Sequence, residues 1–198
     1  MRKIPVILDA DTGIDDTMAL LICATSSKLD VLAAVSTFGN TTIDYATQNT
    51  MDVLALCGRQ DIAVGMGADR PWKKKLRTSP YIHGVNGIGE YQMPEHHREA
   101  LSPLPAWDLA YEKIMACPEK VTYVALGSLT NVANLFCKHP DVKPRLDKVV
   151  YMGGELRGNV AGSQCASVNI FHDPDAAKYA IEGGVPFHIC TSSQVTDH

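Results

Sequence analysis

The chain has 198 residues, 45% of them apolar, and a net charge of −4 from 18 basic and 22 acidic side chains. That balance suits one folded domain over residues 1–198 and gives no cationic footprint for nucleic acid or an anionic membrane. No apolar stretch approaches the ~18 residues of a bilayer span, the N-terminus has no small-residue cleavage site, and the six cysteines show no C-x-x-C pair, so a reducing cytoplasm is the expected compartment.

Ile4 to Leu8 is a short apolar run with β-branched content that leads to an aspartate, and reads as a buried strand. Asp15 to Ala24 reads as a helix, with Met18, Leu21 and Ile22 on one apolar face. Leu29 to Thr37 is a second strand. Thr41 to Leu56 is a second helix, with Thr41 or Thr42 as N-cap and Gly58 as its stop. A third, short strand is expected at Asp61 to Val64.

Gly65 to Leu104 carries Gly, Pro, His and charge with weak periodicity, and loops of that length are usually functional. Its basic run Lys73-Lys74-Lys75 reads as a solvated loop. His96-His97 also read as solvated.

Further on come a helix (Ala106 to Ala116), a strand (Val121 to Leu126), a helix (Leu129 to Cys137) and a strand (Val149 to Met152). After an irregular stretch, Gly153 to Ala166, a helix from Asp175 to Glu182 and a strand from Val185 to Cys190 complete the series. Asp173-Pro174 reads as a helix start. Strands separated by helices predict an α/β fold: a mostly parallel, twisted, open sheet with helices on both faces. Ligands of such sheets bind beyond the carboxyl ends of the strands. Asp9 to Asp16, Phe38 to Asn40, Gly127 to Asn131 and the segment after Met152 should therefore face one crevice.

The sharpest signal is Asp9-Ala10-Asp11-Thr12-Gly13-Ile14-Asp15-Asp16, four carboxylates within eight residues directly after an apolar strand. Without a cation they would repel and raise one another's pKa. Oxygen ligands at this density suit Ca²⁺ or Mg²⁺. Gly13 permits a tight turn, and Asp15 and Asp16 sit where a helix start favours negative charge.

This D-x-D-x-x-x-D-D pattern resembles the signature of the nucleoside hydrolases, of the inosine-uridine preferring type. The resemblance implies that Asp11 and Asp16 ligate Ca²⁺, that Asp11 is the base on a calcium-bound water, that Asp15 contacts the ribose and that Asp9 orients its neighbours. Phe38-Gly39-Asn40 is similar to a segment whose Asn contacts the sugar. Ile82-His83-Gly84 with Gly87 is similar to a loop on the nucleobase side. Leu126 to Asn131 is similar to a segment whose threonine, here Thr130, gives its main-chain carbonyl to calcium. Met152-Gly153-Gly154, Gly158-Asn159 and Asn169 with Asp173-Pro174 are similar to the later sugar-binding block. The implied activity is hydrolysis of the N-glycosidic bond of a ribonucleoside, in an enzyme that is commonly a homodimer or homotetramer.

Two departures stand out. Ser167 occupies a position where the most similar family type has a glutamate, so the ribose would lose a charged acceptor. The last calcium aspartate and a leaving-group histidine lie in a C-terminal portion that does not map onto this chain, Asp197 and His198 included. A catalytically incomplete binder of calcium or ribose is therefore a second reading. A third is a haloacid-dehalogenase-type phosphatase with Asp9 as nucleophile, since Asp9-Ala10-Asp11-Thr12 also fits that opening; Gly13 and the idle Asp15-Asp16 speak against it.

Overall fold

The structure, a computed structural model, describes residues 2–155 and 167–191. Its strands are β1 (Ile4–Ala10), β2 (Leu29–Ser36), β3 (Val64–Gly65), β4 (Val121–Ala125), β5 (Leu146–Met152) and β6 (Phe187–Cys190). The helices are α1 (Ile14–Thr25), α2 (Ile43–Leu56), α3 (Pro80–His83), α4 (Ala106–Ala116), α5 (Thr130–Lys138), α6 (Val168–His172) and α7 (Pro174–Ile181), with a 3₁₀ turn at Pro140–Arg145. The strands form one parallel sheet in the order β3-β2-β1-β4-β5-β6. The order reverses between β1 and β4, so the crevice of a doubly wound sheet opens between the loops that follow these two strands.

Helices cover both faces. On one, α4, α5 and α7 pack over Ile7, Tyr123, Val149 and Tyr151, all buried. On the other, α1 and α2 pack over Val6, Leu8, Val31 and Val64. Burying each such side chain stabilises by ~1.5–3 kcal/mol.

Two local readings are corrected. Met18 and Ile22 are exposed, because Asp16, Leu20 and Ala24, one helical face apart, are the inward residues of α1. Asp16 sets this phase by turning into the site. The third strand is Val64–Gly65, not Asp61 to Val64; Asp61 forms an ion pair with Arg59 in the preceding turn. The lysine run lies in a largely exposed loop, as expected, and is also engaged: Lys73 pairs with Asp175, and Lys74 donates to the Phe171 carbonyl while lying over its ring. His96 is exposed, as expected, yet both residues are tethered to α2, with His96 Nδ1 at 2.7 Å from Asp52 Oδ2 and the His97 amide at 2.8 Å from Oδ1.

Candidate active site

The acidic turn leaves β1 at the β1/β4 switch point. Gly13 N–H donates to Asp16 Oδ2 (2.8 Å), which folds the helix start back on the turn. Asn40, after β2, clamps the two buried carboxylates of the turn. Its backbone N–H donates to Asp11 Oδ2 (2.7 Å), and its amide Nδ2 donates to Asp16 Oδ2 (2.8 Å). Thr12 and Thr50 join hydroxyls at 2.6 Å, and Asn49 donates to the Thr12 carbonyl, so α2 fixes the turn from behind.

Asp11 and Asp16 are almost fully buried. Burial, and then the charge of Asp16, raise the Asp11 carboxyl well above the usual carboxylate range. Burial and the neighbouring Asp15 raise Asp16. Asp11 Oδ1 is buried with no hydrogen-bond partner. A buried, half-satisfied carboxylate beside a second one is costly unless a cation or proton accompanies it. Oxygen donors at this place suit a hard dication, and Asp11 and Asp16 are the side chains that would hold it. Among the described residues no three His, Cys, Asp or Glu side chains converge on one point, so main-chain carbonyls, substrate hydroxyls or water must add ligands.

In front of this pair lies a cavity of about 150 Å³, lined by Asp15, Asp16, Asn40, His83, Ser167 and Asn169, among others. It is smaller than the ~300–1,000 Å³ of sites for drug-sized ligands, a size closer to a sugar than to a whole nucleoside. His83 Nδ1 accepts from the Ile14 N–H at 3.3 Å and lies 3.8 Å from Asp15 Oδ1. Asn169 Nδ2 donates to the carbonyls of Leu126 and Met152, fixing the amide between β4 and β5. Thr130 is buried at the start of α5, its hydroxyl donating to Asp173 Oδ2 (2.9 Å). The segments after β1, β2, β4 and β5 thus do converge on one crevice.

The family model described as inosine-uridine preferring nucleoside hydrolase matches residues 6–197. The chain belongs to this family. It is 35% identical to the pyrimidine-specific ribonucleoside hydrolase RihA of Photobacterium profundum, over 94% of this chain and 59% of that protein. It is 34% identical to the non-specific ribonucleoside hydrolase RihC of Escherichia coli O1:K1, over 95% of this chain and 61% of the relative. A purine-preferring ribonucleoside hydrolase from Gardnerella vaginalis superposes with a TM-score of 0.88 at 29% identity, over 94% of this chain and 60% of that one. The chain therefore spans about 60% of the length of the nucleoside hydrolases it matches.

Within this nucleoside hydrolase site, Asp9 is not where a partner of the acidic turn would be. Its carboxylate accepts from Tyr123 OH and Asn131 Nδ2, both at 2.9 Å, inside the core. Burial raises its pKa to about 7. A nucleophile needs access to substrate, so this placement removes the phosphatase reading. Ser167 lines the cavity, but its hydroxyl accepts the Gly154 N–H at 2.7 Å, so it replaces a glutamate only in part. Asn159, Asp197 and His198 lie outside the described residues. Asn131 is a residue that sequence reasoning undervalued: Nδ2 also donates to the Ser36 carbonyl, and Oδ1 accepts the Ala68 N–H, both at 2.9 Å. Asp173 caps α7 as expected, accepting from the Ala176 N–H, but it also holds Thr130 and the Trp72 N–H.

Proposed function

We propose that this chain carries the sugar-cleaving site of an enzyme that hydrolyses ribonucleosides to ribose and free base. The observation behind this reading is Asp11, buried at the switch point with Oδ2 held by Asn40 and Oδ1 unpartnered. A Ca²⁺ ion held by Asp11 and Asp16 would lower the pKa of a bound water and orient it; Thr130 opens α5, where a main-chain carbonyl runs along the helix toward the residue four further on, so it is not turned into the crevice. Asp11 accepts the proton of the attacking water. Asp15, Asn40 and Asn169 line the cavity, and on this reading they take the ribose hydroxyls. The buried carboxylates stabilise positive charge that develops on the sugar as the base departs. His83 and Ile82 line the same cavity, and on this reading they face the nucleobase. The relatives are variously pyrimidine-specific, non-specific and purine-preferring. What their names share is the ribonucleoside, and on this reading the site recognises the sugar.

The test is release of free ribose from inosine, uridine and cytidine, with and without a chelator. Calcium-dependent release from at least one nucleoside is expected. A folded chain that binds calcium and releases ribose from none would support the non-catalytic reading. We also place the protein in a reducing compartment: Cys23, Cys57, Cys117, Cys137 and Cys190 are free thiols. Among the described residues no helix is long and apolar enough to cross a membrane.

Metal and pH are linked with a definite sign. Asp9, Asp11 and Asp16 all have raised pKa values in the fold, chiefly through burial. Their protonated forms stabilise the metal-free fold fully below the ordinary carboxylate pKa, and this contribution is lost as pH rises toward 7. His172 acts oppositely: burial lowers its pKa to about 4, so its contribution is lost as pH falls from about 6.5 toward 4. Calcium acts on the carboxylates and not on His172. The rise in melting temperature on adding calcium should therefore be several degrees near pH 7.5 and close to zero near pH 5. Thermal melts at the two pH values check this, and an equal rise at both would contradict it.

A further inference from the structure

Tyr151 is fully buried, yet its hydroxyl has no hydrogen-bond partner. Its place in the sheet gives a reason. Asp9, Ala125 and Tyr151 stand side by side in the register of β1, β4 and β5, so their side chains share a face. Two residues further along, on the same face, come Asp11, Gly127 and Gly153. The ladder continues into this row, with Leu126 N–H donating to the Asp9 carbonyl and Gly153 N–H to that of Cys190.

Both glycines floor a cradle. A Cβ on Gly153 would fall 2.7 Å from the Tyr151 hydroxyl and 2.5 Å from its ring, so the tyrosine leans along its strand toward the crevice. A Cβ on Gly127 would fall 2.7 Å from Asp11 Oδ1, so that oxygen lies over β4's continuation. Tyr123, one strand nearer to β1, reaches Asp9 directly at 2.9 Å. Tyr151 is one strand further from Asp11, and the two glycine columns are separated by roughly one strand spacing, ~4.8 Å. No direct hydrogen bond joins the two groups, and one strand spacing leaves room for one bridging oxygen. Asp11 Oδ1 is itself buried and unpartnered. A phenol donates and a carboxylate accepts, so one water can satisfy both.

We propose that Tyr151 is a further residue of this site, its hydroxyl and Asp11 Oδ1 holding one water molecule between them. This rests on Asp11 being the working carboxylate. The tyrosine orients the water by donating to its oxygen and leaves the water's protons for Asp11.

The test is a double-mutant cycle read by thermal unfolding in chelator: the unaltered chain, Tyr151→Phe, Asp11→Ala and the double variant. Shared water predicts that Tyr151→Phe lowers the melting temperature by ~2–4 °C in the parent and does not lower it in the Asp11→Ala background. Asp11→Asn replaces Asp11→Ala if the latter does not fold. Equal effects in both backgrounds, whether a rise from deleting an unpaired hydroxyl or a fall from lost packing, would overturn the proposal. A nucleoside assay without ribose release, combined with clear coupling, would remove the hydrolase reading and leave the Tyr151–Asp11 pair standing.

Discussion

Asp11→Ala should reduce calcium-dependent ribose release by about 10²–10⁴-fold, the range for losing a general base, and should weaken calcium binding in the same protein. The expectation follows from how this carboxylate is held. Asn40 N–H at 2.7 Å fixes Oδ2, and the residue is shut off from solvent. No other buried carboxylate can take over its position: Asp16 is committed to Gly13 and Asn40, and Asp9 to Tyr123 and Asn131. Stability should not fall in parallel. The metal-free chain loses a carboxylate that burial and Asp16 disfavour, so the variant should melt no lower than the parent in chelator. A ribose-release assay beside a thermal melt separates the two effects, and unchanged turnover would refute the role.

The largest loss of stability is expected from Asn131→Ala. One buried amide joins three strands' worth of chain: Asp9 on β1, the Ser36 carbonyl on β2 and the Ala68 N–H beyond β3. Truncation leaves each of these groups buried without its partner. At ~1–3 kcal/mol for each unsatisfied group, a total of ~3–5 kcal/mol is expected once relaxation is allowed for. That corresponds to a fall of ~6–20 °C in melting temperature for a chain of this length. Asn131→Asp tests the polarity separately, because a carboxylate there would face Asp9. Thermal melts of both variants check this, and a change of only a degree or two in Asn131→Ala would mean that water replaces the amide.

Much of the fold was legible because the strands are apolar runs and the helices between them carry their own stops. The acidic turn was legible for a chemical reason: four carboxylates directly after a buried strand have few uses without a cation. The phase of α1 was not. Met18, Leu21 and Ile22 form a plausible apolar stripe, but the helix is rotated by the demand that Asp16 point inward, a constraint that comes from the site and not from hydropathy. The third strand was placed early because Ile62 is apolar and buried without pairing. Asp9 was grouped with its neighbours because adjacency in the chain hides the pleat. Asp9 sits on the strand and enters the core, whereas Asp11 lies past its end. Tyr151 carries no sequence signal, and Asn131 is flagged only as the end of the segment from Leu126 to Asn131, since each acquires its role from chain segments far away. The tethering of His96 and His97 likewise depends on Asp52, a buried acid on α2 that helical periodicity alone does not single out.

The central claim is that the turn after β1 grips a divalent cation at Asp11 Oδ1 and Asp16, in front of a sugar-sized cavity. Crystals of the chain grown in calcium test it most directly. The account predicts anomalous density for one cation within coordination distance of both carboxylates, lost in Asp11→Ala. A calcium-soaked crystal with no cation at Asp11 and Asp16, and with Asp11 Oδ1 bonded to another protein group, would contradict it.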